Sequence, residues 1–315
     1  MPPPLFIVGT SRSGTSWAFE LCASHPDMSM GYESKVPIEG IEVYRRHSGK
    51  LNTRDDIAGL LAAIGEEIDD PTNSNVHDLL SRPDVIDRVY SAHSKSPGWP
   101  TVCEALFCAL EDTSNWGNKL LRIELTPTLA ENWPDARFLI LTRDPRGVMA
   151  SQSKKFDHGV DYSAMYWNTH AQFVLDRIGL PPDYKLPNYM VVDLVEMAKD
   201  PRPALEWAFG EVGLSLDPID DLISRYPGDP ERLDKWRTTL DPNKQRQIEE
   251  YCFNAMSTMG YEPELASGQK TLGTVRRVLA LVKEHGGELL RDPGSIRRKQ
   301  IGKRIMSALG RGETR

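Results

Sequence analysis

The chain reads as an α/β protein with three layers: a mostly parallel central sheet flanked by helices. Two observations predict this. Short unbroken apolar runs stand at Leu5-Phe6-Ile7-Val8, Phe138-Leu139-Ile140-Leu141 and Tyr189-Met190-Val191-Val192. The first two are what strands covered by helices on both faces require. A helical stretch follows each run, so the two element types alternate along the chain.

The elements follow in order. The strand at 5–8 leads through a Gly/Ser/Thr loop into a helix from about Ser16 to Ala23. Residues 40–117 read as several helices, because Ile57, Leu60, Leu61, Ile64 and Ile68 recur at helical spacing. The strand at 138–141 runs into Asp144-Pro145, an N-cap and first helical residue, and a helix towards Lys155. The strand at 189–192 precedes a helix from about Pro203 to Gly210, and a last helix spans Asn243 to Met259. Tyr261-Glu262-Pro263 marks a boundary between a folded domain, residues 1–263, and a basic tail, residues 264–315. No repeat or low-complexity segment is visible.

Composition narrows the function. The 315 residues carry 38 Lys+Arg against 45 Asp+Glu, a net charge of −7. That argues against a protein built wholly to hold nucleic acid. The tail alone has 12 Lys/Arg against 5 Asp/Glu, which leaves −14 for the rest. Mean hydropathy is −0.45, and no apolar run reaches the ~18–20 residues that a membrane span needs. The start of the chain lacks the basic segment of a signal peptide, so a cytoplasmic location is expected. Cys22, Cys103, Cys108 and Cys252 form no CxxC pair or zinc spacing, which fits core thiols in a reducing compartment.

Two turns carry the chemistry. Gly9-Thr10-Ser11-Arg12-Ser13-Gly14-Thr15-Ser16 sits between a buried strand and a helix, where free backbone N–H groups and the positive helix end converge on an anion. The spacing of Gly9 and Gly14 is that of a nucleotide-triphosphate loop, but Thr15 stands where the phosphate lysine should be. That argues against ATP or GTP hydrolysis and leaves Arg12 as the loop's cation. A turn that merely packs strand against helix is the alternative. In the second turn Arg143 ends a strand and Ser151 lies eight positions later, so an Arg fork and a hydroxyl can share one phosphate. Its alternative is a surface arginine beside an incidental serine. Two such turns on one sheet imply a ligand with two separated phosphates.

Ser13-Gly14-Thr15-Ser16-Trp17 together with Arg143 and Ser151 resembles the sulfotransferases that use 3′-phosphoadenosine 5′-phosphosulfate (PAPS). The resemblance spans about residues 5–260 and implies a P-loop-NTPase-like sulfotransferase fold. It implies Arg12, Ser13, Gly14, Thr15 and Ser16 at the 5′-phosphosulfate, and Arg143 and Ser151 at the 3′-phosphate. Trp17 falls where an aromatic stacks on adenine, with helix packing as its alternative. Lys155 can add charge at the 3′-phosphate or be simply exposed. Arg232-Leu233-Asp234-Lys235-Trp236-Arg237 resembles the loop that closes over the nucleotide, without its glycines.

Sulfuryl transfer needs a base for the acceptor's proton and cations at the leaving oxygen. The Lys-Thr-His pattern of many cytosolic relatives is absent, and the seven histidines read as surface or packing residues. Gly31-Tyr32-Glu33-Ser34-Lys35 is similar to the Gly-Glu-Glu-Thr-Arg segment of tyrosylprotein sulfotransferases, and the match puts the base on Glu33. A solvated loop glutamate is the alternative. Trp116-Gly117-Asn118-Lys119 resembles the element before the central strand in the same relatives, which implies Lys119 beside Arg12 at the transition state. The expected products are PAP and a sulfated alcohol or phenol, on a small-molecule, carbohydrate or lipid-linked acceptor, with no metal. The rivals are a P-loop kinase and a nucleotide-binding scaffold without activity.

In the tail, Leu272, Val275, Val278, Leu279 and Val282 fall at helical spacing, and a basic stretch follows from Ile296 to Met306. Such a helix can lie on an anionic membrane surface, dock an acidic partner or pack on its own acidic domain.

Overall fold

A computed structural model describes residues 2–68, 74–155, 159–178 and 188–281. The chain falls into two compact units, residues 1–142 with 177–230, and residues 143–176 with 231–315.

The first unit holds the sheet. Its strands are β1 (Leu5–Gly9), β2 (Met28–Tyr32), β3 (Asn115–Leu120), β4 (Arg137–Thr142) and β5 (Tyr189–Asp193). They lie in the order β2-β3-β1-β4-β5, and every neighbouring pair is parallel. The parallel α/β expectation is therefore met. Helices α1 (Thr15–Ala23), α2 (Val36–His47), α3 (Arg54–Glu67), α4 (Ser74–Leu79), α5 (Pro83–Lys95), α6 (Trp99–Cys108) and α7 (Thr126–Asn132) belong to this unit.

β1 shows why the sheet is central. All five of its residues are buried, and alternate side chains serve opposite faces. Leu5 and Ile7 pack with Met28, Met30, Leu139 and Leu141 beneath α1. Phe6 points the other way, stacked on Phe138 at 5.6 Å and edge-on to Trp116 at 5.7 Å. β5 is an edge strand, half-buried throughout.

Two strands are not visible as apolar runs. β2 reads Met-Ser-Met-Gly-Tyr and β3 reads Asn-Trp-Gly-Asn-Lys-Leu. Polar and glycine residues interrupt both, yet β3 is buried along its whole length. Lys119 consequently lies on a strand beside β1, where the sequence placed it ahead of the central strand.

The second unit begins with α8 (Pro145–Lys155) and α9 (Val160–Phe173). The chain returns to the first unit for α10 (Leu194–Lys199), α11 (Arg202–Glu211) and α12 (Ile219–Arg225). The second unit then resumes with α13 (Pro230–Leu233), α14 (Trp236–Thr239) and α15 (Pro242–Thr258). Its core joins Val148, Trp167, Ile248, Cys252 and Met256, and Leu272 of the tail is part of it. Residues 274–281 are helical; Val275 and Leu279 of the expected tail helix are exposed on it. Val282 and the basic stretch 296–306 lie outside the described residues.

Candidate functional site

The loop after β1 is a tight turn. The Ser13 hydroxyl donates to the Thr10 carbonyl at 2.7 Å, and the Ser13 N–H donates to the same oxygen at 3.1 Å. Arg12, inside the turn, is exposed and left-handed, with φ 74°. Gly14 then caps α1 at φ 86°. A Cβ there would stand 2.2 Å from the Leu194 side chain, so glycine is needed for both space and conformation. Among the described residues no side chain caps α1. The first backbone bond of the helix runs from Ala18 N–H to the Gly14 carbonyl, so the N–H groups of Thr15, Ser16 and Trp17 have no acceptor within it. Uncapped amides and the positive helix end make a place for an anion.

Lys119 reaches the same place from β3. It is only 1% exposed. Its ammonium donates to Glu33 Oε1 and to Ser16 Oγ at 3.4 Å, and it sits 3.9 Å from the centre of the Tyr32 ring. Ser16 Oγ also lies 3.0 Å from Tyr32 Oη. Glu33, immediately after β2, is the open member of the cluster, with a side chain 23% exposed.

The backbone holds Glu33 in that position. Its φ is 57°, and its N–H donates to the Lys119 carbonyl at 2.9 Å. Buried Asn118 grips the next residue, accepting from Ser34 N–H at 3.2 Å and donating to the Ser34 carbonyl at 2.9 Å. Non-glycine residues in left-handed conformations cost of order 1–3 kcal/mol and gather at functional sites. Among the described residues four that are not glycine have positive φ, and two of them are Arg12 and Glu33. Sequence reasoning assigned no role to Tyr32 or Asn118. The period-2 alternation of β3 would have put Asn118 and Lys119 on opposite faces, had the strand been recognised.

Trp17 is half-buried. Its indole N–H donates to the Tyr226 carbonyl at 2.9 Å, and its ring packs at the edge of the core beneath α1. Of the histidines, His25, His93 and His170 are buried. His25 bonds the Ser215 carbonyl and His93 bonds Tyr44 Oη, each at 3.0 Å.

The turn after β4, in the second unit, is built differently. Asp144 Oδ1 accepts from Arg146 N–H at 2.8 Å and so caps α8. The Arg146 side chain folds back onto the same carboxylate, 2.7 Å from Oδ2, and reaches Glu249 Oε1 at 3.0 Å. Arg146 is 2% exposed and lies 4.3 Å from the centre of the Trp236 ring. Glu249 is fully buried; its other oxygen accepts N–H groups from Glu264, Leu265 and Ala266 at 3.1, 2.6 and 2.9 Å. Burial alone pushes its carboxyl up. Hydrogen bonds from Gln245 and from those amides outweigh that and hold it below the ordinary glutamate range. The first residues after Pro263 are thereby fastened to α15.

Arg143 lies over this turn. Its carbonyl accepts from Trp167 Nε1 at 2.9 Å, and its Nη2 donates to the Leu233 carbonyl at 3.1 Å. Gly147 makes the room: a Cβ there would stand 2.8 Å from Arg143 Nε. Ser151 is half-buried further along α8. The side chains of Lys155 and Arg232 lie outside the described residues. In the predicted covering segment, Trp236 is held between Arg146 and Arg237. Among the described residues no group of His, Cys, Asp and Glu side chains is arranged to hold a metal ion, and no helix is long and apolar enough to cross a membrane.

An uncapped βα loop beside a buried lysine–glutamate pair, on a five-stranded parallel sheet, is the frame in which the comparisons fall. The model of the sulfotransferase family matches residues 3–183, and the chain belongs to that family. Carbohydrate sulfotransferase 2 from Mus musculus and from Homo sapiens are each 26% identical to it over 98 residues. That stretch covers 26% of this chain and 18% of each relative's length. Among solved structures, the sulfotransferase domain of the Synechococcus PCC 7002 olefin synthase is similar in fold. Its TM-score is 0.52 at 18% identity, over 82% of this chain and 95% of that one.

Proposed function

We propose that the protein transfers a sulfuryl group from PAPS to a hydroxyl acceptor, with Glu33 as the base. One observation carries this: Lys119 and Glu33 meet at the uncapped start of α1, so a cation and an open carboxylate stand at an anion site. The amides of the α1 turn, with Arg12, Ser13, Gly14, Thr15 and Ser16, take the 5′-phosphosulfate. Arg143 and Ser151 take the 3′-phosphate, an assignment that rests on the family resemblance.

The acceptor oxygen forms a bond to sulfur as the bond from sulfur to the 5′-phosphate oxygen breaks. Glu33 receives the acceptor's proton. Lys119 and Arg12 hold the negative charge that grows on the departing oxygen, and PAP leaves. No step calls on a metal. The kinase reading is disfavoured by Thr15 at the position of the phosphate lysine.

The curated relatives are named carbohydrate sulfotransferases, so sugar hydroxyls come first among acceptors, followed by phenols and lipid-linked alcohols. A cytoplasmic protein whose basic tail touches anionic membrane fits the last class. The test is an acceptor panel with sulfur-labelled PAPS in the presence of a chelator. Label should move to one acceptor class while PAP forms in equal amount. Label that stays in PAPS across the panel, with the nucleotide bound, would leave a scaffold in place of an enzyme.

A further inference from the structure

Tyr32 belongs to the cluster but takes no part in the transfer as described above. The register of the sheet pairs it directly with Lys119, so the two side chains are cross-strand neighbours on one face. The lysine ammonium rests 3.9 Å from the centre of the Tyr32 ring, and the Tyr32 hydroxyl lies 3.0 Å from Ser16 Oγ. Phe19 meets the ring edge-on at 5.0 Å and fixes its plane.

The charge balance of Lys119 gives the ring its importance. An ammonium that is 1% exposed must be compensated inside the protein. Among the described residues three groups face it: the Glu33 carboxylate from the turn after β2, the Ser16 hydroxyl from α1 and the Tyr32 ring from β2. Glu33 is a full counter-charge only while it is ionised. Once it holds the acceptor's proton, the ammonium keeps one hydroxyl and one aromatic face. A ring face attracts a desolvated cation at all stages and has no proton to exchange with it there.

We propose that Tyr32 is a positioning residue: its ring holds the Lys119 ammonium at the sulfonate end of the donor, independently of the state of Glu33. This rests on the sulfotransferase reading, and it separates the ring from the hydroxyl. The ring acts on Lys119, and the hydroxyl only orients Ser16.

The test compares two nucleotides that differ in the group next to Lys119. PAP, which keeps the departing oxygen, and adenosine 3′-phosphate, which has no 5′-phosphate, are titrated calorimetrically into the wild type, Tyr32→Leu and Tyr32→Phe. With a cation–ring contact of about 0.5–2 kcal/mol, Tyr32→Leu should weaken PAP by about 2- to 30-fold. Adenosine 3′-phosphate should stay within about twofold, because it carries nothing for Lys119 to hold, and Tyr32→Phe should preserve the wild-type ratio of the two. A general loosening of the fold would weaken both nucleotides together and leave the ratio unmoved. Should Tyr32→Leu melt early, Tyr32→Met provides the same contrast. The inference is overturned if the ratio is unchanged without the ring, or if Tyr32→Phe moves it as far as Tyr32→Leu. A wild type that binds neither nucleotide removes the sulfotransferase reading itself, and this inference with it.

Discussion

The helix after β1 starts on Gly14, with its first amides uncapped, whereas the helix after β4 starts on Asp144, whose carboxylate takes one of them. The two turns follow buried strands, and each places an arginine near its helix start. They differ in what they leave open. In the first unit, backbone N–H groups, Ser16 and Lys119 converge on one place, and the nearby carboxylate is itself ion-paired. In the second unit the helix end already holds an anion, and Arg146 balances that anion's charge. The 3′-phosphate proposed for this turn would be met by side chains, Arg143 above all. The comparison separates a proposed site made of backbone from a proposed one made of an arginine on a rigid base. The first should depend on conformation, the second on single side chains.

Substitutions can break or sharpen this contrast. The largest effect is expected from Glu33→Gln, which keeps the shape but removes the base. Turnover should fall by about 10²–10⁴-fold while PAP affinity stays within a factor of two; near-normal turnover would exclude Glu33. Next comes Arg146→Met in the second unit. It strands buried Glu249 and half-buried Asp144 beside an apolar chain and should cost about 3–5 kcal/mol of stability in a denaturant melt. A neutral result would mean that the ion cluster is not what stiffens the second turn. Arg143→Ala should weaken PAP by about 2–5 kcal/mol with little loss of stability, as befits a ligand rather than a support. Unchanged PAP affinity would refute that assignment. Gly14→Ala forces a left-handed alanine against Leu194 and should cost about 1–3 kcal/mol, with donor affinity falling alongside the melting temperature.

The smallest effect is one of pH. Folding holds the Glu249 carboxyl below its ordinary range, so its stabilisation is complete above about pH 4.3 and fades as the pH falls through the lower folded value. Glu249→Gln should flatten the acid limb of the stability curve. An unchanged limb would place the acid sensitivity elsewhere.

How much of this was legible in the sequence depends on where the information lies. β1 and β4 are continuous apolar runs, so their strands and the turns that follow could be read directly. Glu33 and Lys119 could be named from short resemblances, but their contact could not. It depends on β2 and β3 lying side by side, and both strands hide behind Ser29, Gly31, Gly117 and Asn118. Burial of Asn118 is made possible by the Ser34 backbone, a partner 84 residues away. Likewise Arg146 stands in a motif read for Arg143 and Ser151, yet its partner Glu249 is 103 positions on. Local pattern finds elements and turns; partners supplied across the sheet or from the far end of the chain leave no periodicity to read.

The central claim is that the chain binds PAPS, with the uncapped turn proposed at its 5′ end. The most direct measurement is calorimetric titration of the full chain with PAP without magnesium, alongside ATP with magnesium. Tight binding of PAP, with ATP giving no heat, is the predicted result. Binding of ATP with magnesium and none of PAP would contradict the account, remove Arg143 and Ser151 from the site and return the first loop to kinase-type chemistry.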